Sequence, residues 1–571
     1  MAISTSPKDT ILSRRQIEGL IADGKNIVIY EDKVLRLNAW IKYHPGGDKS
    51  IQHVVGKDAT DEINAYHSAE TRSTMERYQI GRIEGKWVNF RPPIQGGQFR
   101  PYVEGDDNED SGCASADDDA NTSSTQSNPP SPLFDPVLKS NSVPKRRQKS
   151  KRAESPTSDI SLSSVEDTPD SKKPSLLDLR TKEEIDHDLA IFPSLAPEVQ
   201  DNIIQKYREL DQRLKDAGLF DCRYWCYGIE GIRYSFFFIM FLFLLHKGWY
   251  GCSGAFLGIF WHQLVFAAHD TGHISVTHNF QIDTVIGIII ADFFGGLSLG
   301  WWKRNHNVHH IVTNYPEHDP DIQHLPFFAV DHRFLSSLRS TFYDKTLLYD
   351  SFAKTFIKYE NYLYYPILTF GRFNLYRLSW EYLFLGLGPR KGIAAWHRWL
   401  EVAGQVFFWI WFGYFTLYLN VPTGWDQFKF VMISHMITAP LHVQITLSHF
   451  AMSTADLGPT ESFPQHQLRT CMDVDCPWWL DFFHGGLQFQ AIHHLYPRMP
   501  RHNLRQAQKY LLEFCHEVNL PYAIYGFYDG NKEVIGRLAE IARQASILAE
   551  CQKQVSAEQV RKTKIKNGLK V

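Results

Sequence analysis

The chain has 571 residues, which is too long for one compact domain, and 43% of them are hydrophobic, as in ordinary globular proteins. An aromatic fraction of 14%, with 15 Trp, 26 Tyr and 38 Phe, favours interfacial aromatic belts and acyl-lined cavities over a typical soluble core. The formal net charge of −3 gives no indication of nucleic-acid binding, and we expect no nucleic-acid partner.

Residues 1 to about 90 have the pattern of a small α+β domain. Ser13-Arg-Arg-Gln16 is a candidate capping box, which predicts the start of a first helix. The apolar runs 27–30 and 34–37 flank a polar turn, which predicts a β-hairpin. We expect residues 1–100 to form this domain.

Two histidines within this domain predict a heme site. His44 begins the motif His44-Pro-Gly-Gly47, and Ala65-Tyr-His67 follows it. A histidine on a Pro-Gly-Gly turn lets the backbone approach a porphyrin closely, and a second histidine completes a six-coordinate iron that transfers electrons. The segment resembles cytochrome b5, with His44 and His67 in the positions of its heme ligands. The resemblance implies heme b.

Residues 101–178 differ sharply from the domain before them. An acidic run at 105–110 precedes Ser/Pro-rich sequence and a basic run at 145–152. Few apolar residues are available to offset the conformational entropy of the chain, so we expect a disordered linker. We interpret the basic run as a solvated or headgroup-facing stretch and not as a nuclear address.

Four long apolar segments follow, and each approaches the length of about 20 residues that crosses a bilayer. They are 232–245, 251–268, 402–419 and 428–447. A fifth segment, 282–299, is interrupted by Asp283, Asp292 and Gly295-Gly296. If four segments cross, this fifth one must lie in the interface or re-enter, because only then do all histidine clusters share one side. We expect an all-α domain with four transmembrane helices at 179–540 and a cytosolic basic tail at 541–571.

The location of the chain is predicted from its charges and cysteines. Basic residues between the second and third apolar crossings fit the positive-inside rule, and no C-x-x-C pair is present among eight cysteines. We expect a multi-pass protein of the endoplasmic reticulum membrane, with the heme domain and the histidine clusters facing the cytosol.

Three histidine clusters lie at the ends of the apolar segments. Residues three or four apart share one face of a helix, so each cluster can direct its imidazoles at one point. Neutral imidazole suits iron, zinc and copper, and seven such donors exceed what one metal accepts, which predicts two metals. The seven histidines are His269, His273, His306, His309, His310, His493 and His494.

Two further residues are candidate metal ligands. His449 ends the last apolar segment and is predicted to face the same cavity. Gln490 stands three residues before His493, where a histidine would be expected. Its carbonyl oxygen either binds a metal or orients His494, and the sequence leaves both roles open.

The three clusters resemble the histidine boxes of membrane fatty-acyl and sphingolipid desaturases. Gln490 resembles the glutamine that opens the third box in the front-end subclass fused to cytochrome b5. Residues 490–503 and the Ser/Pro-rich insertion are most similar to fungal delta-8 sphingolipid desaturases. The resemblance implies a centre of two non-heme iron ions with the seven box histidines as ligands.

The resemblance implies that a double bond is introduced at carbon 8 of the long-chain base of ceramides, using dioxygen. No Gly-x-Gly-x-x-Gly turn is apparent, so a separate NADH-cytochrome b5 reductase is the expected electron donor and a membrane sphingolipid the substrate. Alternatives are a front-end fatty-acyl desaturase acting on acyl-CoA or acyl-lipid, and a diiron lipid hydroxylase. An alternative of a different class is a heme-bearing membrane metal carrier, which would need polar groups at membrane depth.

Overall fold

A computed structural model of the protein describes residues 7–103 and 175–566. The greater part of the predicted linker at 101–178 therefore lies outside the described residues, and so does the basic run at 145–152. The described residues comprise an N-terminal α+β region and a larger, mainly helical region.

The N-terminal region is built on a three-stranded antiparallel sheet. Ser13 caps the first helix, and the predicted capping box with Gln16 is present. The predicted hairpin is also confirmed, because β1 (Ile27–Tyr30) pairs antiparallel with β2 (Lys33–Arg36). A third strand, which the sequence analysis did not identify, pairs with β2. The elements are α1 (Arg14–Ala22), β1 (Ile27–Tyr30), β2 (Lys33–Arg36), α2 (Asp48–Gln52), α3 (Thr60–Tyr66), α4 (Ala69–Met75) and β3 (Gln79–Arg82).

The sheet separates two apolar clusters. Neighbouring residues of a strand point to opposite faces, so Ile27 and Val28 enter different clusters. Ile27 packs with Ile17 of α1, whereas Val28 packs with Ile63 of α3. The second cluster lies beside the turn and the helix that carry the two predicted heme ligands.

The larger region contains the four predicted membrane segments. Four helical spans in the described residues are long and apolar enough to cross a membrane: Tyr224–His246, Tyr250–Gly272, His397–Leu419 and Gly424–Leu447. The elements up to the last of these spans are α5 (Leu176–Ile191), α6 (Pro197–Asp216), α7 (Tyr224–His246), α8 (Tyr250–Gly272), α9 (Phe280–Ile288), α10 (Leu299–Ile311), β4 (Leu338–Ser340), β5 (Lys345–Leu347), α11 (Ser351–Phe356), α12 (Glu360–Leu368), α13 (Gly371–Leu385), α14 (His397–Phe408), α15 (Gly424–Met436) and α16 (Ala439–Leu447).

The interrupted fifth segment is bent, as the sequence predicts for a segment that does not cross directly. Phe280–Phe294 and α10 meet at 116°, which is the geometry of a broken span or a re-entrant loop. Gly296 lies at the break with φ of 69°, a left-handed conformation that favours glycine. Ser298 then caps α10 by accepting a hydrogen bond from the backbone N–H of Trp301. The bend sets the direction of the helix that carries the second histidine cluster.

The chain after the last apolar span returns to the helical core. Its elements are α17 (Phe463–Thr470), β6 (Asp473–Asp475), α18 (Asp481–His484), α19 (Gln490–Leu495), α20 (Leu504–Glu517), β7 (Ile524–Gly526) and α21 (Phe527–Lys566). The boundary predicted at residue 540 lies within α21, where Ile541 and Ala545 are buried. Residues 551–563 of the same helix are exposed.

Candidate heme site and metal centre

The turn before α2 and the end of α3 bring His44 and His67 together. Their ring centroids are 6.1 Å apart. Two imidazoles on opposite sides of one iron, each with a bond of about 2 Å, have centroids roughly 6 Å apart. The observed separation therefore fits a six-coordinate heme iron between the two rings.

Hydrogen bonds orient both rings for this role. His44 Nδ1 donates to the carbonyl oxygen of Gly47 at 2.8 Å, and His67 Nδ1 donates to that of Ile63 at 3.2 Å. Each bond leaves Nε2 as the free donor for a metal. Burial, and then the neighbouring His44, lower the pKa of His67 to about 3, so its imidazole is neutral.

Four separate pieces of the helical region bring the predicted metal ligands to one place. The end of α8 carries the first histidine cluster, and α10 carries the second. His449 follows α16, and α19 carries the third cluster. The first cluster and His449 lie where apolar spans end, and the second cluster follows the bent fifth segment, as the sequence predicts. The prediction is wrong for the third cluster, because α19 lies well beyond the last span, which ends at Leu447, and is brought back by packing.

The imidazoles form two groups with one histidine between them. Within each group the candidate ligand atoms all lie within 4.8 Å of one another. One group is His269, His273, His306 and His493, and the other is His309, His449 and His494. His310 joins them, because its Nε2 lies 3.0 Å from His306 Nε2 and its ring stacks on His494 at 4.1 Å. Two adjacent groups of donors suit two metal ions better than one.

Acceptors outside the two groups fix the orientation of several rings. His309 Nδ1 donates to Asp319 at 2.8 Å, and His494 Nδ1 donates to the side-chain oxygen of Gln467 at 3.0 Å. His306 Nδ1 lies 3.4 Å from Asp321. These contacts hold one ring nitrogen and leave the other for a metal.

The donor set passes a chemical test for iron. The Nε2 atoms of His273, His493 and His494 are buried and have no hydrogen-bond partner. Burial, and then the charges of neighbouring histidines, lower the pKa of His493 and His494 well below the usual range. Unpartnered neutral imidazoles are costly in a core and suit a metal of intermediate softness such as iron.

Gln490 lies on the same short helix as the third histidine cluster. It is buried at the first residue of α19, one helical turn before His493. Its two predicted roles stay predictions. The assignment of individual residues as metal ligands is likewise a prediction that the geometry supports.

Several residues around the centre were not identified from the sequence. Asp319 and Asp321 contact the rings of His309 and His306 of α10. The sequence feature that could have identified them is an acidic pair shortly after the second cluster. Arg501 forms ion pairs with Glu230 of α7 and Asp270 of α8. Arg501 therefore connects the segment after the third cluster to α8, the helix that carries the first cluster. No periodic pattern in the sequence predicts such a contact.

Comparison with protein families gives two matches that divide the chain as the structure does. The model described as "Fatty acid desaturase" matches residues 247–526. The model described as "Cytochrome b5-like Heme/Steroid binding domain" matches residues 13–84.

Three curated fungal relatives, each called "Delta 8-(E)-sphingolipid desaturase", are similar over nearly the full chain. The relative from Emericella nidulans is 61% identical, over 98% of this chain and 99% of its own. The relative from Kluyveromyces lactis is 51% identical, over 96% and 95%. The relative from Candida albicans is 48% identical, over 96% and 98%.

Proposed function

Because the chain belongs to the family of membrane desaturases with an N-terminal cytochrome b5-like domain, we propose that it is a delta-8 sphingolipid desaturase. It introduces a double bond at carbon 8 of the long-chain base of ceramides. One observation carries the chemistry: seven imidazoles gathered in two adjacent groups beside the apolar spans. The names of the full-length relatives support the substrate.

The family implies a heme and iron, and we assign heme b and two non-heme iron ions. His44 and His67 would hold the heme. The box histidines with His449 would hold the two ions, and Gln490 stays a candidate ligand. Bound iron supplies the activation of dioxygen needed to remove hydrogen from an unactivated methylene, and the heme supplies electrons singly.

The chain contributes orientation, neutral donors and exclusion of water. Asp319 and Gln467 fix the rings of His309 and His494 by hydrogen bonds, so the donor nitrogens need little reorganisation. Burial keeps His493 and His494 uncharged and keeps water away from a centre that handles reactive oxygen.

We place the protein in the endoplasmic reticulum membrane, with both sites on the cytosolic side. Four candidate spans return the chain to its starting side, and the bent fifth segment keeps α10 with the other clusters. This orientation presents the heme domain to a cytosolic electron donor. We assign that role to NADH-cytochrome b5 reductase.

Expression in a yeast that lacks sphingolipid unsaturation tests the proposal. Lipid mass spectrometry should detect long-chain bases unsaturated at carbon 8, and the matched control His493→Ala should give none. New double bonds only in fatty acids would refute the sphingolipid substrate and leave a desaturase. Hydroxylated bases without double bonds would instead indicate a hydroxylase.

A further inference from the structure

Helix α10 has two functional faces. His306, His309 and His310 point into the metal centre. Arg304, Asn307 and Ile311 follow a spacing of three and four residues, which places them together on another side of the helix. This second side contacts the heme domain.

The contact is made with the turn that carries the heme ligand His44. A Cβ atom on Gly46 would lie 2.9 Å from Asn307 Nδ2, and one on Gly47 would lie 3.1 Å from Arg304 Cγ. Gly47 also has φ of 92°, a conformation that other residues rarely adopt. The two glycines of the turn therefore permit a close approach of α10 as well as of a porphyrin.

Side chains from both regions cross this contact. Ile311 packs against the apolar cluster of the heme domain that contains Ile63. Tyr66, adjacent to the heme ligand His67, reaches in the opposite direction. Its ring meets the ring of His310 edge-on at 6.0 Å, and its hydroxyl donates to the His310 carbonyl oxygen at 3.5 Å. The heme site and the metal centre are thus linked through immediate neighbours of their own ligands.

Ion pairs surround the contact and fix its register. In the heme domain Asp61 pairs with Arg208 of α6 at 2.8 Å, and Arg91 pairs with Asp456 at 2.5 Å. Two lysines of the same domain pair with acids of the helical region, Lys49 with Asp344 at 2.8 Å and Lys86 with Asp201 at 2.5 Å. Such pairs contribute little individually, but together they select one orientation.

We propose that this docked arrangement is the state that transfers electrons, with α10 as the path between the two sites. The inference rests on the proposed function. Each transfer oxidises one ferrous heme iron to ferric and reduces one ferric ion of the metal centre to ferrous, with no bond formed or broken. The reductase restores the ferrous heme. The heme domain therefore acts from a specific surface, and its attachment through the linker alone is insufficient.

A charge exchange on the full-length protein tests this. The variant Arg208→Glu/Asp456→Lys turns two attractive pairs into repulsive ones at residues that are not candidate metal ligands. Adding Asp61→Arg and Arg91→Glu restores attraction with the signs exchanged. Arg543→Glu, which breaks an ion pair with Glu540 on α21, is the matched control for a lost surface pair. All variants are to be loaded with heme and iron, and both contents measured.

The readout is reoxidation of heme that has been reduced by NADH and the added reductase, after rapid mixing with dioxygen and ceramide. Heme absorbance follows the reoxidation. The repulsive variant should lose about tenfold in rate and approach the background set by His493→Ala, whereas the restored variant should recover. Arg543→Glu should match the unaltered protein. A repulsive variant that reoxidises heme at the unaltered rate, with heme and iron content unchanged, would overturn the proposal.

A second readout does not depend on turnover. Carbodiimide converts a close lysine–carboxylate pair into an amide, so mass spectrometry should find Lys86 joined to Asp201 in the unaltered and restored proteins but not in the repulsive variant. The cross-linked protein should keep its rate of heme reoxidation. A tenfold loss on cross-linking would contradict the docked state as the active one.

Failure of the proposed function is distinguishable from failure of this inference. Unaltered protein that reoxidises heme no faster than His493→Ala would refute iron-dependent turnover, and both ideas with it. If the charge variants show the expected rates but new double bonds appear only in fatty acids, the sphingolipid substrate is refuted and the docking surface is still supported.

Discussion

The two sites in this chain are built in opposite ways. His44 and His67 lie within one short stretch of a small domain, on either side of α2, beside an apolar cluster of that domain. The metal ligands extend from His269 to His494 and come from four separate pieces of chain. A site of local origin depends on a short stretch of sequence, whereas a site of distant origin depends on the packing of the whole membrane region.

The largest expected effect tests the metal centre, whose ligands come from distant parts of the chain. His493→Ala removes a donor that the structure places against three other histidines. Desaturation should fall by more than about a hundredfold, and bound iron should decrease. The heme spectrum should stay unchanged, because its ligands lie in the other domain. Lipid products, iron content and absorbance are the measurements, and normal iron content would argue against His493 as a ligand.

The converse change tests the local site. His44→Ala leaves His67 as the only predicted heme ligand, so the protein should lose heme and turnover together. Iron content should remain unchanged, since none of the candidate metal ligands lies in this domain. Heme absorbance, iron analysis and product analysis distinguish these outcomes. Full turnover without an added cytochrome would contradict the role of the fused domain as electron donor.

A change at a buried residue that is not itself a ligand should damage the metal centre and leave the heme site intact. Arg469 of α17 is buried and pairs with Glu461 and Asp188 at 2.8 and 2.9 Å. The same helix carries Gln467, which holds His494. Arg469→Met leaves two buried carboxylates without their cation and should lower the free energy of unfolding by about 3–5 kcal/mol. Thermal unfolding in detergent and iron content measure this, with Arg543→Glu as the surface control.

The ion pair of Arg469 with Glu461 also makes the stability of the fold depend on pH. Burial alone would raise the pKa of Glu461, but Arg469 and His466 lower it to about 2, from an ordinary value of 4.5. Because the unfolded chain binds this proton first, the stabilisation is present above pH 4.5 and is lost between about 4.5 and 2. In the Arg469→Met variant, the decrease in the free energy of unfolding over this pH range should be smaller. An equal decrease in both proteins would show that groups other than Glu461 cause the acid sensitivity.

The smallest expected effect concerns the orientation of one ligand. Asp319→Asn keeps the shape of the side chain but weakens the acceptor of the hydrogen bond from His309 Nδ1. Iron affinity or turnover should fall by about 10- to 100-fold, with the fold intact. Iron titration and product analysis measure this. Unchanged values would show that the ring of His309 is held by packing alone.

The sequence predicted the parts of both sites that follow a periodic rule. The hairpin of Ile27–Tyr30, the capping box at Ser13 and the four apolar spans each follow from local spacing, and the structure has them all. The convergence of the first two clusters and His449 was predictable because each follows an apolar segment, whereas the third cluster lies on α19, well beyond the last span. The fatty acid desaturase and cytochrome b5-like assignments followed from the same motifs.

What the sequence did not predict arises from contacts between distant residues. Arg501 meets Glu230 and Asp270 only because three helices pack there. The approach of Asn307 to Gly46 depends on how one domain rests on another, and no local pattern encodes it. Such contacts become visible only when the whole chain is folded.

The last helix, α21, has a practical consequence for visualising this protein. Leu538, Ile541 and Ala545 are buried within the helical region, while residues 551–563 of the same continuous helix project with exposed side chains. A second helical protein fused in register to this projecting part would inherit a rigid connection to the membrane-embedded core. It would give an otherwise small particle a fixed soluble marker for electron microscopy.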